Sequence, residues 1–134
     1  MTLEAVQAGP LLSPARAEPF EWEPANRRML LTLLVYAYAS GMFGSKEIEW
    51  QATQDSGLGY ICANQLPDWN TLRLFRRRFQ WLLTSCLALV FKSAVRIRFL
   101  GEDFDELSLN EFCLRMAEAR VREAIIADSI DLDE

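Results

Sequence analysis

Between Asn26 and Met42 the residues Met29, Leu30, Leu31, Leu33, Leu34, Val35, Tyr36 and Tyr38 would cover nearly the whole circumference of a helix with apolar side chains. Such a helix is stable in water only when other elements surround it, so the chain must wrap it with further segments. At 134 residues there is enough chain for one domain with a core and too little for two ordinary ones. The expected fold is mainly α, a small helical bundle with Leu33, Leu34, Tyr36, Ile48, Leu72, Phe75, Phe79 and Leu83 in its core. The central helix is expected to stop near Gly41.

The other helices follow from capping residues and apolar stripes. Ser45 reads as the N-cap of a shorter helix with Ile48 and Ala52 inward, ended by Gly57 and Gly59. Pro67 blocks continuation, and Asp68 or Asn70 can cap a long helix from about Thr71 to Lys92 whose apolar stripe includes Leu72, Phe75, Phe79, Leu82 and Leu83. Ser108-Leu109-Asn110-Glu111 matches a capping box opening a last helix. Val95, Ile97 and Phe99 alternate with Arg96 and Arg98, as Phe20 and Trp22 do with Glu21 and Glu23, which allows one short two-stranded β-ribbon with matched charges. Residues 1–19, with Pro10, Pro14 and Pro19, read as a flexible leader, residues 20–126 as the domain, and 127–134 as an acidic tail.

Composition removes much enzymology. There is no histidine, which excludes His-based triads and His-bearing zinc sites. The three cysteines, Cys62, Cys86 and Cys113, are widely spaced among apolar or small residues, as buried free thiols of a reducing compartment would be. The amino-terminal stretch lacks a basic n-region, and no apolar run reaches the roughly 18–20 residues of a membrane span, so a cytoplasmic protein without membrane contact is expected.

The net charge of −5 is unevenly spread: residues 69–101 carry seven basic groups and no acidic one, while residues 102–134 carry three basic and eleven acidic groups. Within the positive segment Arg73, Arg76 and Arg77 form a stripe beside the apolar stripe of their helix. Such a stripe can grip DNA phosphates, with Thr71 near the helix start assisting, or it can pair with carboxylates elsewhere in the chain. If three arginines neutralise three duplex phosphates, log affinity falls with log salt at a slope of about −2.7.

Three stretches together resemble the N-terminal domain of InsH-type insertion-sequence transposases, a helical module that precedes a DDE catalytic domain. The buried helix with Leu33-Leu34, Tyr36 and Gly41 resembles that family's Leu-rich helix ending in Gly. Ser45 followed by Ile48-Glu49 resembles its Ser-x-x-Ile-Glu turn, and Pro67-Asp68, Thr71-Leu72 and Phe75-Arg76 resemble its Pro-Asp-x-x-Thr-(Ile/Leu)-x-x-Phe-Arg helix start. The resemblance spans residues 29–81 and implies DNA-end binding and assembly.

Beyond it the family pattern is lost. Where the family has a strand ending in a metal-binding Asp of Asp-Gly-Thr, this chain reads Gly101-Glu102-Asp103-Phe104-Asp105. Two-metal chemistry needs carboxylates gathered from distant segments of a larger fold, so no catalysis, metal or cofactor is expected. Asp103, Asp105 and Glu106 read as acidic residues at a helix start rather than as cation ligands. Two functions remain: a non-catalytic, transposase-like DNA-binding and assembly module, or an interaction module forming a homodimer or partnering a full-length transposase. The run Trp81 to Phe91, more apolar than one domain face requires, is expected to provide the partner surface, with Leu87 upon it. Trp50, Trp69 and Trp81 are expected to pack rather than stack on bases.

Overall fold

Pro24, whose fixed φ and missing N–H suit the first helical turn, opens helix α1 (Pro24–Ala39) in a computed structural model that describes residues 24–62 and 65–132. Leu30, Leu31, Leu33, Leu34, Val35, Ala37 and Tyr38 are all buried, on every side of the helix. Gly41 ends it at φ +91°, with Met42 N–H donating to the Ala37 carbonyl at 2.8 Å and Gly41 N–H to that of Tyr38 at 3.2 Å. This pair of bonds is a Schellman closure, and its left-handed residue explains the glycine.

Helices α2 (Ser45–Gln54) and α3 (Ser56–Ile61) follow. Asp55 separates them and caps α3, its carboxylate accepting from the N–H groups of Gly57 at 2.7 Å and Leu58 at 3.2 Å. Gly57 and Gly59 therefore lie within α3 instead of ending α2, because a side-chain cap at Asp55 starts a new turn before them. Helix α4 (Trp69–Arg78) begins at Asp68, which accepts from Thr71 N–H at 2.7 Å, so of the two candidate caps Asp68 is the one used.

The expected single helix from about Thr71 to Lys92 is divided. At Phe79, φ −117° and ψ 30°, the backbone leaves the α region for one residue before α5 (Gln80–Arg98) begins. The break lets Phe75 and Arg76 face α2 and the end of the last helix, while Leu83, Cys86, Leu87, Val90 and Phe91 face α1 and its middle. No Gly or Pro marks it. Helix α5 then runs through Val95–Arg98, so this half of the expected ribbon is helical; the other half, Phe20–Glu23, lies outside the described residues, as does the leader. Helix already propagating from upstream adds one bond per residue, and α5 ends only at Phe99, φ −117° and ψ 48°, two residues before Gly101 at φ +89°.

Helix α6 (Glu106–Leu132) returns along α5, and the two form the most extensive helix pair of the fold. Its cap is Asp105, which accepts from Ser108 N–H at 3.3 Å and from Ser108 Oγ–H at 2.7 Å, three residues before the expected box at Ser108. Leu109, Cys113, Ala117, Val121, Ala124 and Asp128 form its buried stripe. Residues 127–132 are the last turns of this helix and not a tail. Among the described residues there are six helices and no strand, the mainly α bundle anticipated.

Six of the eight expected core residues are fully buried, Tyr36 and Phe79 partly so. Leu87 is at 0% exposure, which places it in the core and not on a partner surface. Trp50 and Trp81 are the opposite correction: they are exposed by 62% and 72%. Each lies on the outer side of a helix whose inner stripe is already filled, by Ile48 and Ala52 in α2 and by Leu83 and Leu87 in α5.

Candidate functional site

Of the four arginines of α4, the three of the expected stripe do not share one environment. Arg73 and Arg77, four residues apart, lie on the outer side, Arg77 exposed and Arg73 partly so. Asn70, one turn before, accepts from Arg73 through Nη2 at 2.8 Å and Nε at 3.3 Å, which orients that guanidinium. Arg76 is turned inward and its side chain is 5% exposed. The expectation of a three-arginine phosphate face is thereby corrected to Arg73 and Arg77, since a buried guanidinium cannot reach a phosphate from this fold.

Arg76 is held by Asp128 of α6. Its Nη2 lies 2.9 Å and its Nε 3.3 Å from Asp128 Oδ2, and the same carboxylate accepts from Ser45 N–H at 2.7 Å and Ser45 Oγ–H at 2.8 Å. A buried charge is tolerated when it is paired and its lone pairs are satisfied, and all four donors converge here. Ser45 is consequently the first residue of α2, with Gly44 at the N-cap, and its hydroxyl is spent on Asp128 instead of on its own helix. Tyr38 lies close by: burial pushes its phenol far above the ordinary value, while the Arg76 charge pulls the other way. Its buried hydroxyl has no hydrogen-bond partner among the described residues.

A second link joins α2 to α4. Glu49 Oε2 accepts from the backbone N–H of Trp69, the first residue of α4, and Lys46 Nζ sits 4.9 Å from the centroid of the Trp69 ring. Arg120 of α6 ties in the end of α1 by donating to the Tyr38 carbonyl at 2.8 Å, over the rings of Phe43 and Phe91. The residues of the three resembling stretches are therefore in contact: Leu33, Leu34, Ile48 and Leu72 within one core, Glu49 on the start of α4, Ser45 and Arg76 on one carboxylate.

The remaining positive charge is partly neutralised. Lys92 Nζ lies 3.0 Å from Glu106 Oε2, and Arg96 pairs with the other oxygen of that carboxylate. Lys92 and then Arg96 hold the Glu106 carboxyl below its usual value, and the Ser108 hydroxyl does the same for Asp105. Arg78 and Arg98 lie against the rings of Phe79 and Phe99. Arg73, Arg77 and Gln80 border a depression of about 310 Å³ whose far wall is Ile125, Ser129 and Leu132 of α6.

Asp103 is exposed, and among the described residues no group of three or more His, Cys, Asp or Glu side chains comes together to hold a metal ion. Cys62, Cys86 and Cys113 are buried free thiols, each pushed up from its usual value by burial. By length and composition α5 is, against the expectation from its sequence, apolar enough to cross a membrane; Leu83, Cys86, Leu87, Val90 and Phe91 are buried, while Trp81, Leu89 and Ile97 are exposed.

Reading the sequence missed Asp128, and a signal for it was present. The inward stripe of α6 passes Val121 and Ala124 and then falls on Asp128, so one acidic residue of the supposed tail occupies a core position. Comparison of the chain with protein-family models, characterised proteins and solved structures gives no match.

Proposed function

We propose that this chain is a non-catalytic, transposase-like module that binds duplex DNA through phosphate contacts and serves the assembly of a DNA-protein complex. The observation that carries the proposal is the convergence of the resembling stretches: Ser45, Glu49, Leu72 and Arg76 brace neighbouring helices or the core, and Asp68 caps the start of α4. Residues in those roles explain why the pattern of Ser-x-x-Ile-Glu and Pro-Asp-x-x-Thr-Leu-x-x-Phe-Arg occurs as a set. Binding falls to what the bracing leaves outside, Arg73 and Arg77 on the outer side of α4. Contacts of that type position a protein on the backbone and carry no sequence information.

The test is an anisotropy titration of a labelled duplex at low salt, where attraction is least screened. Arg73→Gln combined with Arg77→Gln is expected to remove binding while leaving the unfolding curve in place, since neither side chain is part of the core. Retained affinity in that variant would reject the assignment to α4.

A second reading, an interaction module that partners a full-length transposase, is favoured by the apolar tip of the α5–α6 hairpin. There Ile97, Leu100 and Leu107 are exposed by 58%, 81% and 79%. Monomers rarely leave such a cluster open without use. Absence of DNA binding at any salt, together with co-purification of the chain with such a transposase, would select this reading.

A further inference from the structure

Helix α6 carries a second stripe that the fold leaves largely open, Met116 alone packing partly against the core. Phe112, Met116, Ala119, Glu123, Ile126 and Ile130 are spaced by alternating steps of four and three residues, the seam pattern of a coiled coil. The buried stripe from Leu109 to Asp128 is centred about a third of a turn away, and most of this seam faces outward. Phe112, Ile126 and Ile130 are exposed by 56%, 52% and 57%. Beside its carboxyl-terminal half, Phe43, Ile126, Ala127 and Ile130 line a groove of about 420 Å³ edged by Lys46, Glu47 and Asp131.

We propose that this seam pairs with the same seam of a second copy of the chain, antiparallel about a two-fold axis passing near Val121. In that register Phe112 of one copy faces Ile130 of the other, Met116 faces Ile126, and Ala119 faces Glu123. Each copy thus offers a projecting Phe112 near one end of α6 and an apolar groove near the other, about 27 Å away at 1.5 Å per residue. A two-fold arrangement seats both at once, the self-complementarity an isologous interface requires.

Charge selects the direction. A parallel pair would set Glu123 against Glu123 in the seam and Phe112 against Phe112, leaving both grooves unfilled. The antiparallel pair sets Glu123 against the small Ala119 and next to Arg122 of the other copy. Neither Glu123 nor Arg122 has an ion-pair partner among the described residues. This surface lies on α6 and does not depend on DNA contact by α4, so either property can fail without the other.

Sedimentation of the full chain at tens of micromolar, where a modest interface assembles, is expected to give twice the monomer mass. Phe112→Glu and Ile130→Arg are each expected to return it to the monomer mass with helical circular dichroism unchanged. Direction is read by cross-linking. Phe112→Cys and Ile130→Cys proteins, oxidised separately, are expected to stay uncross-linked, and an equimolar mixture to form a disulfide-linked pair; the native thiols are buried. A monomeric parent chain, a dimer that survives Phe112→Glu, cross-linking of either protein alone, or no cross-link in the mixture would each overturn the proposal.

Discussion

Replacing Asp128 with Asn keeps the shape of the side chain and removes its charge. The Arg76 guanidinium then remains at 5% exposure without a counter-ion, and the new amide points donors at a site already filled by the donors of Ser45 and Arg76. Breaking a buried ion pair in this one-sided way costs about 3–5 kcal/mol, a large share of the roughly 5–15 kcal/mol that holds a domain folded. At about 4 °C per kcal/mol for a chain of this size, Tm should fall by about 12–20 °C. Urea unfolding followed by circular dichroism at 222 nm measures the loss directly. The companion experiment removes both charges: Arg76→Met with Asp128→Asn should recover most of the stability, because no charge is then stranded and the asparagine still offers an acceptor to the Ser45 N–H. A loss below about 1 kcal/mol for Asp128→Asn, or a double variant no more stable than the single one, would refute the view that Asp128 is the buried anchor of Arg76.

Two further outcomes follow from the packing and the caps. Leu87→Asp puts a carboxylate at a position with no exposure and should unfold the chain, seen as loss of a cooperative thermal transition; a folded protein would contradict the placement of α5. Asp68→Ala should cost about 1 kcal/mol as a lost N-cap. The Thr71 backbone N–H holds the Asp68 carboxyl below its ordinary 3.8, so its contribution is complete above that value and lost as pH falls through the lower folded value. Acid titrations of the parent and the variant should therefore converge below about pH 4, and a constant gap down to pH 2 would contradict the assignment.

The central helix was legible because its apolar residues surround the axis, a pattern only burial can satisfy, and Gly41 marked its end in the ordinary way. Asp68 was legible for a similar reason, a proline and a short acceptor directly before an amphipathic run. The break at Phe79 was not, because the apolar stripe of α4 continues into α5 without a helix breaker and the departure is confined to one residue. Val95–Phe99 reads as a strand in isolation and is helical because Phe99 N–H completes a bond to the Val95 carbonyl at 3.0 Å at the end of a helix already formed. The arginine stripe was visible as a stripe, but a helical projection cannot tell which of its members meets a carboxylate 52 residues away. That carboxylate reads as part of an acidic tail, yet removal of residues 127–134 would take away the anchor of Arg76.

The most direct test of DNA contact through α4 is the salt dependence of affinity for a duplex, measured with the full chain from low to physiological salt. Two arginines neutralising two phosphates give a slope of log affinity against log salt of about −1.8, at roughly −0.9 per phosphate. With Arg73→Gln and Arg77→Gln the slope should collapse towards zero, whereas the Arg76→Met, Asp128→Asn pair should retain it. No measurable binding at the lowest salt, or a slope unchanged by loss of Arg73 and Arg77, would contradict the account.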